Sequence, residues 1–176
     1  MRRAKWVVWL CCCSAGLATA QDEVEDRAIV RLPPSAFTQL PLPVRIEAEK
    51  RGCTVPQNSY DPDRGKNNVI TGSFRGAGVE TWALLCSRNR VSAILVCNAR
   101  APLRCEELAP SEDIDRLQYL GLQGFAYSRL LTRIPRGEVR DGVTLARDGV
   151  DDYFEGKASV IWYWESGRWR RLAGVD

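Results

Sequence analysis

The chain has 176 residues, of which 25 are Lys or Arg, 22 are Asp or Glu and none is histidine. This length corresponds to one domain with a buried core. The lack of histidine excludes Ser-His-Asp and Cys-His catalytic groups, and the near balance of charge argues against a general attraction to nucleic acid.

Residues 1–20 are predicted to be a secretory signal peptide. The basic stretch "MRRAK" precedes the apolar core "WVVWLCCCSAGLA", and the small residues "ATA" precede Gln21. The apolar core is too short for a transmembrane helix, which needs about 20 residues. Cleavage before Gln21 removes Arg2, Arg3 and Lys5, which lowers the basic residues to 22 and leaves no net charge. We therefore expect an exported protein, periplasmic or secreted, with no transmembrane span in the mature chain.

The mature chain is expected to have two parts. Residues 21–42 are charged and then rich in proline, which predicts a poorly ordered lead-in. Residues 43–176 are predicted to form a single α+β domain, with one mainly antiparallel sheet and two or three short helices. The first helix starts near Pro43, which suits a first helical turn, and stops at Gly52.

A hairpin is predicted next, with strands near 79–87 and 91–98 and a turn at Arg88-Asn89. Both faces of these strands are apolar, which is typical of strands in the interior of a sheet. A second helix is predicted to start at Ser111, because acidic residues fill the turn that follows. The glycine at the end of "DRLQYLG" would stop it, and "GFAYSRLLTRI" is predicted to be a strand.

Four cysteines remain in the mature chain, and an even number in an exported protein predicts two disulfides. They are Cys53, Cys86, Cys97 and Cys105. In the predicted hairpin Cys86 and Cys97 lie about 20 Å apart, beyond the roughly 7 Å limit for a disulfide. We expect Cys53–Cys86 with Cys97–Cys105, and the crossed pairing stays open. Zinc is not expected, because the chain has no C-x-x-C pair and no histidine.

The acidic segment near the C-terminus is predicted to be a short helix. Asp148 would cap it, and Asp148, Asp151, Asp152 and Glu155 would share one side at helical spacing. Such a line of carboxylates could act in acid–base chemistry or bind a cation. Carboxylates at a helix start also serve as caps and partners of the helix dipole, which is the structural alternative.

A closing hairpin is predicted from "ASVIWYW", a Ser166-Gly167 turn and "RWRRL". Trp162, Trp164 and Trp169 could form a stacking platform for a carbohydrate or peptide, or they could pack within the hairpin. The predicted cross-strand pairs are Trp164 with Trp169, Tyr163 with Arg170 and Ile161 with Leu172.

The glycine-rich stretch "GSFRGAGVETWALL" lacks the order of residues of a phosphate-binding loop. It resembles one hairpin of the FG-GAP or VCBS-type propeller repeats, which bind calcium. The resemblance implies a β-hairpin without calcium, because Ser73, Arg75, Ala77 and Thr81 stand at the ligand positions. The positions that fit the repeat are Gly72, Phe74, Gly76, Gly78, Ala83 and Leu84.

A wider order of motifs is similar to a family of uncharacterised exported bacterial proteins. It runs from "CTVPQ" through "WALLCS" to "DGVDDYF", and it implies no activity, metal or cofactor. We therefore expect a small non-enzymatic protein that binds a ligand or protein at the cell envelope or outside the cell. The alternatives are an Asp/Glu-dependent hydrolase of polysaccharide and an inhibitor or immunity-type partner of a secreted enzyme. Two carboxyl groups in a cleft would favour the hydrolase, and an exposed apolar patch would favour a partner surface.

Overall fold

The structure is a computed structural model that describes residues 25–76 and 78–174. The predicted signal peptide lies outside these residues. The α-helix α1 is Leu42–Lys50, and short 3-10 helices span Pro34–Ala36, Pro62–Arg64, Ile114–Arg116 and Gly121–Gln123. The strands are β1 (Arg31–Leu32), β2 (Val55–Pro56), β3 (Val69–Gly72), β4 (Thr81–Arg88), β5 (Val91–Asn98), β6 (Arg104–Glu112), β7 (Leu117–Tyr119), β8 (Phe125–Tyr127), β9 (Arg129–Ile134), β10 (Val139–Arg140), β11 (Val143–Thr144), β12 (Gly149–Phe154), β13 (Ala158–Glu165) and β14 (Arg168–Ala173).

The architecture is mostly β, with 47% strand divided among five sheets. The expectation of a single sheet with two or three short helices is therefore wrong. The first sheet has the strand order β3-β4-β5-β6 and the second sheet has the order β14-β13-β12-β9, and every pairing in both is antiparallel. The other three sheets are two-stranded pairs. No helix in the described ranges is long and apolar enough to cross a membrane.

Strands β4 and β5 are buried on both faces, as their apolar pattern predicts, whereas the edge strands β3 and β6 are partly exposed. Leu84 and Leu95 face a first core, which also contains side chains of α1. Leu85 and Ile94 face a second core, which lies between the two sheets. The first core contains Phe37, Leu40, Val44, Ala48, Cys53, Val55, Trp82, Leu84, Cys86, Leu95 and Cys97. The second contains Ile29, Phe74, Ala83, Leu85, Ile94, Val96, Tyr127, Leu131 and Val150.

Part of the proline-rich lead-in is packed rather than loosely attached. Phe37 is fully buried and Leu40 is 3% exposed. Both contact the same core as Val44 and Ala48, which lie on the inner side of α1. The predicted helix after Pro43 is present, and the chain before it contributes to the core that the helix covers.

The β4–β5 hairpin turns one residue later than predicted. Asn89 and Arg90 form the turn, with positive φ values of 50° and 65°. A two-residue hairpin loop of the favoured type needs positive φ at both central positions. The register therefore places Cys86 opposite Ala93 and Trp82 opposite Cys97.

Both expected disulfides are formed. Cys53 joins Cys86, with 4.8 Å between the Cα atoms, and attaches the segment after α1 to β4. Cys97 joins Cys105, with 4.1 Å between the Cα atoms, across the β5–β6 pair. These two bonds exclude the crossed pairing. A direct Cys86–Cys97 bond stays excluded after the shift in register, because Cys86 lies opposite Ala93 and Cys97 lies opposite Trp82.

Two predicted helices are strands. The segment from Ser111 continues β6, makes one 3-10 turn and enters β7. Asp113 does not cap a helix there, because its buried carboxylate accepts hydrogen bonds from Ser87 and Arg31. The segment after Asp148 is β12, an interior strand between β9 and β13. Pairing on both sides supplies backbone hydrogen bonds that outweigh the local helix signal of the acids.

The closing hairpin has the predicted register. Trp164 lies opposite Trp169, Tyr163 opposite Arg170 and Ile161 opposite Leu172. The indole rings of the tryptophan pair meet edge to face, with 5.5 Å between their centroids and 78° between their planes. This geometry is the one that favours aromatic pairs.

We predict that Trp164→Ala lowers the melting temperature by several degrees. The substitution removes a half-buried ring, at a cost of up to about 3 kcal/mol, and about 1 kcal/mol shifts the melting point of a chain of this size by roughly 2–4 °C. Tyr119→Ala is the control, because that ring is 68% exposed. Thermal unfolding followed by circular dichroism measures both, and equal melting temperatures for the two variants would contradict the prediction.

Candidate functional site

The four acids of the predicted helix do not form a line. Asp151 and Asp152 point to opposite faces of the second sheet, because β12 alternates its side chains. Asp148 precedes the strand and Glu155 follows it. Among the described residues, no group of three or more Asp, Glu, Cys or His side chains is placed to hold a metal ion.

Asp148 joins two loops. Its carboxylate accepts a hydrogen bond from the backbone N–H of Ser73 at 2.8 Å and another from that of Arg136 at 3.0 Å. The Arg133 guanidinium lies 3.6 Å away. Asp148 thereby fixes the glycine-rich loop of the first sheet against the loop that precedes β12 in the second.

Asp152 forms a buried ion pair with Arg129, which is fully buried. The guanidinium donates through Nε to Oδ1 at 2.7 Å and through Nη2 to Oδ2 at 2.9 Å. This two-pronged geometry is the strongest form of a charged hydrogen bond. The pair satisfies both charges inside the protein.

Arg129 also reaches from the second sheet to the first. Its Nη1 donates to the carbonyl oxygen of Ser92 at 2.9 Å, and its Nη2 donates to that of Ala109 at 2.8 Å. Tyr127 lies beside it, with its hydroxyl 3.2 Å from the Ser92 hydroxyl. Burial raises the pKa of Tyr127 to about 12. The network is a structural connection between β5, β6 and β12.

Sequence reasoning did not single out Arg129. The signal was an arginine inside the apolar strand segment "FAYSRLL", since a charge at such a position needs a buried partner. The partner lies 23 residues later along the chain, and only the pairing of β9 with β12 brings them together.

Asp151 is a buried carboxyl group with little compensation. It is 8% exposed, and the hydroxyl of Thr132 lies 3.5 Å from its Oδ2. Its Oδ1 has no hydrogen-bond partner among the described residues. Burial raises the pKa of Asp151 above its ordinary value of 3.8, and the nearby Asp152 carboxylate raises it further.

The three predicted platform tryptophans lie together but are partly covered. Trp162 and Trp169 pack against the second core. The Arg75 guanidinium lies 4.2 Å from the ring centroid of Trp164. Glu106 accepts a hydrogen bond from Trp169 Nε1 at 2.8 Å and pairs with Arg75 at 2.9 Å. The rings are used in the contact between the two sheets, and a stacking platform stays a prediction.

The glycine-rich loop is a turn that carries these contacts. Phe74 is fully buried in the second core, and its backbone N–H donates to the Thr81 hydroxyl at 2.9 Å. That hydroxyl in turn donates to the carbonyl oxygen of Gly72 at 2.6 Å. A Cβ at Gly72 would lie 2.8 Å from the Phe74 ring, so the close approach requires glycine. Ala77 lies outside the described residues.

An exposed apolar surface lies on the β7–β8 hairpin, at a position where the sequence predicted the end of a helix. Tyr119 is 68% exposed, Phe125 is 40% exposed and Leu122 is 108% exposed. An exposure above 100% means that no neighbouring residue covers Leu122. The Tyr119 and Phe125 rings contact each other, with 5.4 Å between centroids. We call Tyr119, Leu122 and Phe125 the apolar tip.

The apolar tip projects from a firmly attached base. The Gln118 amide donates to the carbonyl oxygen of Glu155, and the Ser128 N–H donates to that of Arg116 at 2.8 Å. Gly121 and Gly124 adopt positive φ values of 66° and 77° and make the tight loop that presents Leu122. The sequence signal was "YLGLQGF", in which apolar residues alternate with turn glycines.

Comparisons with protein-family models, with curated proteins and with solved structures find no match. The similarity of residues 72–84 to propeller repeats therefore stays a resemblance. The same holds for the similarity to exported bacterial proteins. The function is therefore inferred from the geometry of the chain itself.

We predict that Arg129→Met destabilises the protein by about 3–5 kcal/mol, because the buried Asp152 carboxylate loses both of its hydrogen bonds from Arg129 and keeps only the Arg116 guanidinium, 4.0 Å away. Arg129→Met with Asp152→Leu should be more stable than the single variant, since the unpaired charge is gone. Arg100→Met, at an exposed position, is the control. The midpoints of urea unfolding measure these differences in stability. If Arg129→Met were as stable as Arg100→Met, the structural role of the Arg129–Asp152 pair would be contradicted.

We predict that Asp151→Asn stabilises the protein at neutral pH. The folded state raises the pKa of Asp151, so folding favours the protonated form and stability falls as the pH rises from 3.8 through the folded pKa. The gain from asparagine should be full above that window and should vanish near pH 3. Melting temperatures measured across this range test it, with the exposed Asp115→Asn as control. An advantage that persists unchanged at low pH would refute the assignment.

Proposed function

We propose that the protein is a small exported binding protein without catalytic activity, and that the apolar tip inserts into an apolar recess on a partner protein. The observation that carries this proposal is the full exposure of Leu122 between the two exposed rings of Tyr119 and Phe125. Contiguous exposed apolar side chains on a monomer mark interaction surfaces.

The free energy gained by burying the apolar tip supports a binding role. Full burial of one exposed large apolar side chain contributes about 1.5–3 kcal/mol. Tyr119 and Phe125 are only 68% and 40% exposed, so the three side chains together contribute roughly 3–6 kcal/mol. Association costs about 4–15 kcal/mol in lost freedom of motion. The tip is therefore the energetic centre of an interface, and polar contacts around it complete the binding energy, as in known hot spots.

The charge around the tip favours a protein over a membrane surface. Arg116 and Lys157 lie near the base, where each guanidinium or ammonium contacts the Phe154 ring. Asp115 and Glu155 lie in the same segments and offset these charges. Binding to anionic lipid relies on an excess of basic residues, and the predicted mature chain has none.

The disulfides support export. Cys53–Cys86 and Cys97–Cys105 are both at bonding distance, and such bonds persist in oxidising compartments outside the cytosol. The predicted signal peptide at residues 1–20 gives the same location. The partner is therefore expected at the cell envelope or outside the cell.

The protruding shape of the tip also favours one of the alternatives, an inhibitor or immunity-type partner of a secreted enzyme, because a convex loop fits an enzyme cleft. The polysaccharide hydrolase has less support. Asp148 and Asp152 accept structural hydrogen bonds, and Glu155 is paired with Arg64. The predicted carboxylate line therefore provides no acid–base pair.

The tip is tested with Leu122→Asp and a matched control, Val139→Asp, at another exposed apolar position, on β10. Each mature protein is immobilised and exposed to envelope proteins, and a captured protein is then purified and its dissociation constant measured. We expect Leu122→Asp to weaken binding by about tenfold or more, with binding by the control unchanged. Equal binding by both variants would refute the proposal.

A second arm separates lipid from protein. The same variants are mixed with vesicles of phosphatidylcholine and phosphatidylglycerol, and bound protein is measured by flotation. We expect no vesicle binding that depends on Leu122. Vesicle binding that is lost in Leu122→Asp would show a membrane-binding tip and would overturn the protein partner.

A further inference from the structure

Two adjoining cavities open between the glycine-rich loop and the loop before β12. They have volumes of about 290 Å³ and 280 Å³, and Ser73, Gly78 and Asp148 line both. Arg136 and Arg147 line the first, and Arg133 lines the second. We call the pair the arginine cleft. It is separate from the apolar tip, since no residue of the tip lines it.

We propose that the arginine cleft binds the oxyanion groups, carboxylate or phosphate, of an acidic polymer. The guanidinium group is planar and presents its N–H donors in a fork that matches these anions. Two cavities side by side fit an extended ligand with repeated charges better than a single small anion. This inference is independent of the proposed protein partner.

The guanidinium groups retain donors for a ligand. The Arg136 side chain is exposed and hydrogen-bonds to no described residue. The Arg133 side chain is 51% exposed and lies 3.6 Å from Asp148, beyond hydrogen-bonding distance. Arg147 uses Nη1 for the carbonyl oxygen of Trp164, at 3.1 Å, which fixes the side chain and leaves its other nitrogens.

The arginines that line the cleft outnumber its acidic residues, which favours an anionic ligand. Three arginines line the cleft against two acids, Asp148 and Glu80. The Asp148 carboxylate already accepts two backbone hydrogen bonds. These bonds stabilise its charge, so it does not need the arginines as hydrogen-bond donors. Glu80 is exposed to solvent, where water screens it. The excess positive charge sits on the walls that face the cavities.

The cleft is also held in position before any ligand binds. Asp148 ties its two walls together through Ser73 and Arg136, and the neighbouring Phe74 anchors one wall in the second core. The backbone at Ser73 and Arg136 is therefore already ordered, which lowers the entropy cost of binding.

The test uses Arg133→Gln with Arg136→Gln, and Arg100→Gln as control, since Arg100 is exposed and lies outside the cleft. Polygalacturonate and polyphosphate are the two probes, which separate carboxylate from phosphate chemistry. Binding is measured by titration calorimetry at low and high salt. We expect the wild type to bind at least one probe, and each lost guanidinium contact to weaken binding by about tenfold.

The outcomes are distinct. Loss of binding in the double variant, with the control and the melting temperature unchanged, supports the cleft, and the preferred probe identifies the anion. Equal binding by all three proteins would overturn the proposal, because it would show general attraction to surface charge. Absence of binding by the wild type to both probes would overturn it as well. Neither result bears on Leu122, so the two proposals stand or fall separately.

Discussion

The buried guanidinium of Arg129, whose charge Asp152 neutralises within the second sheet, is the group on which the arrangement of the two sheets depends. A fully buried guanidinium is costly unless every donor has an acceptor. The acceptors come from β12 in the second sheet and from Ser92 and Ala109 in the first. Displacement of one sheet along the other would leave buried N–H donors of Arg129 without these carbonyl acceptors, while the pair with Asp152, which lies in the same sheet as Arg129, would stay intact. The hydrogen bonds from Arg129 to Ser92 and Ala109 thus restrict the sheets to one relative position, which apolar packing alone does not fix as sharply.

The glycine-rich loop follows from that constraint. It spans the same boundary between sheets and places Phe74 in the shared core, Arg75 over Trp164 and Ser73 on Asp148. These contacts explain why the glycine-rich loop has a structural role. They also leave the two exposed features, the apolar tip and the arginine cleft, at the ends of loops that a rigid framework supports.

The local sequence pattern predicted correctly those elements that depend on residues close together in the chain. The helix α1, the interior strands β4 and β5, both disulfides and the register of the closing hairpin were all accessible, because apolar periodicity and cross-strand pairs specify them. The segments after Ser111 and Asp148 were predicted as helices from acids at their starts. One acid in each segment, Asp113 and Asp152, is instead buried against Arg31 and Arg129, partners far along the chain, which no local pattern reveals. The apolar tip was missed because the predicted helix ran through Tyr119 and stopped at Gly121, although "YLGLQGF" is a local signal for the hairpin.

The open edge of the second sheet has a consequence for association. Among residues 25–76 and 78–174, β14 pairs only with β13, so its other side presents a sheet edge that could join a strand from another molecule. Three of its six residues are arginine: Arg168, Arg170 and Arg171. A second copy that approached edge to edge would bring these like charges together, and the repulsion protects the protein from forming continuous sheets. The arginines of this edge strand therefore oppose aggregation through strand pairing.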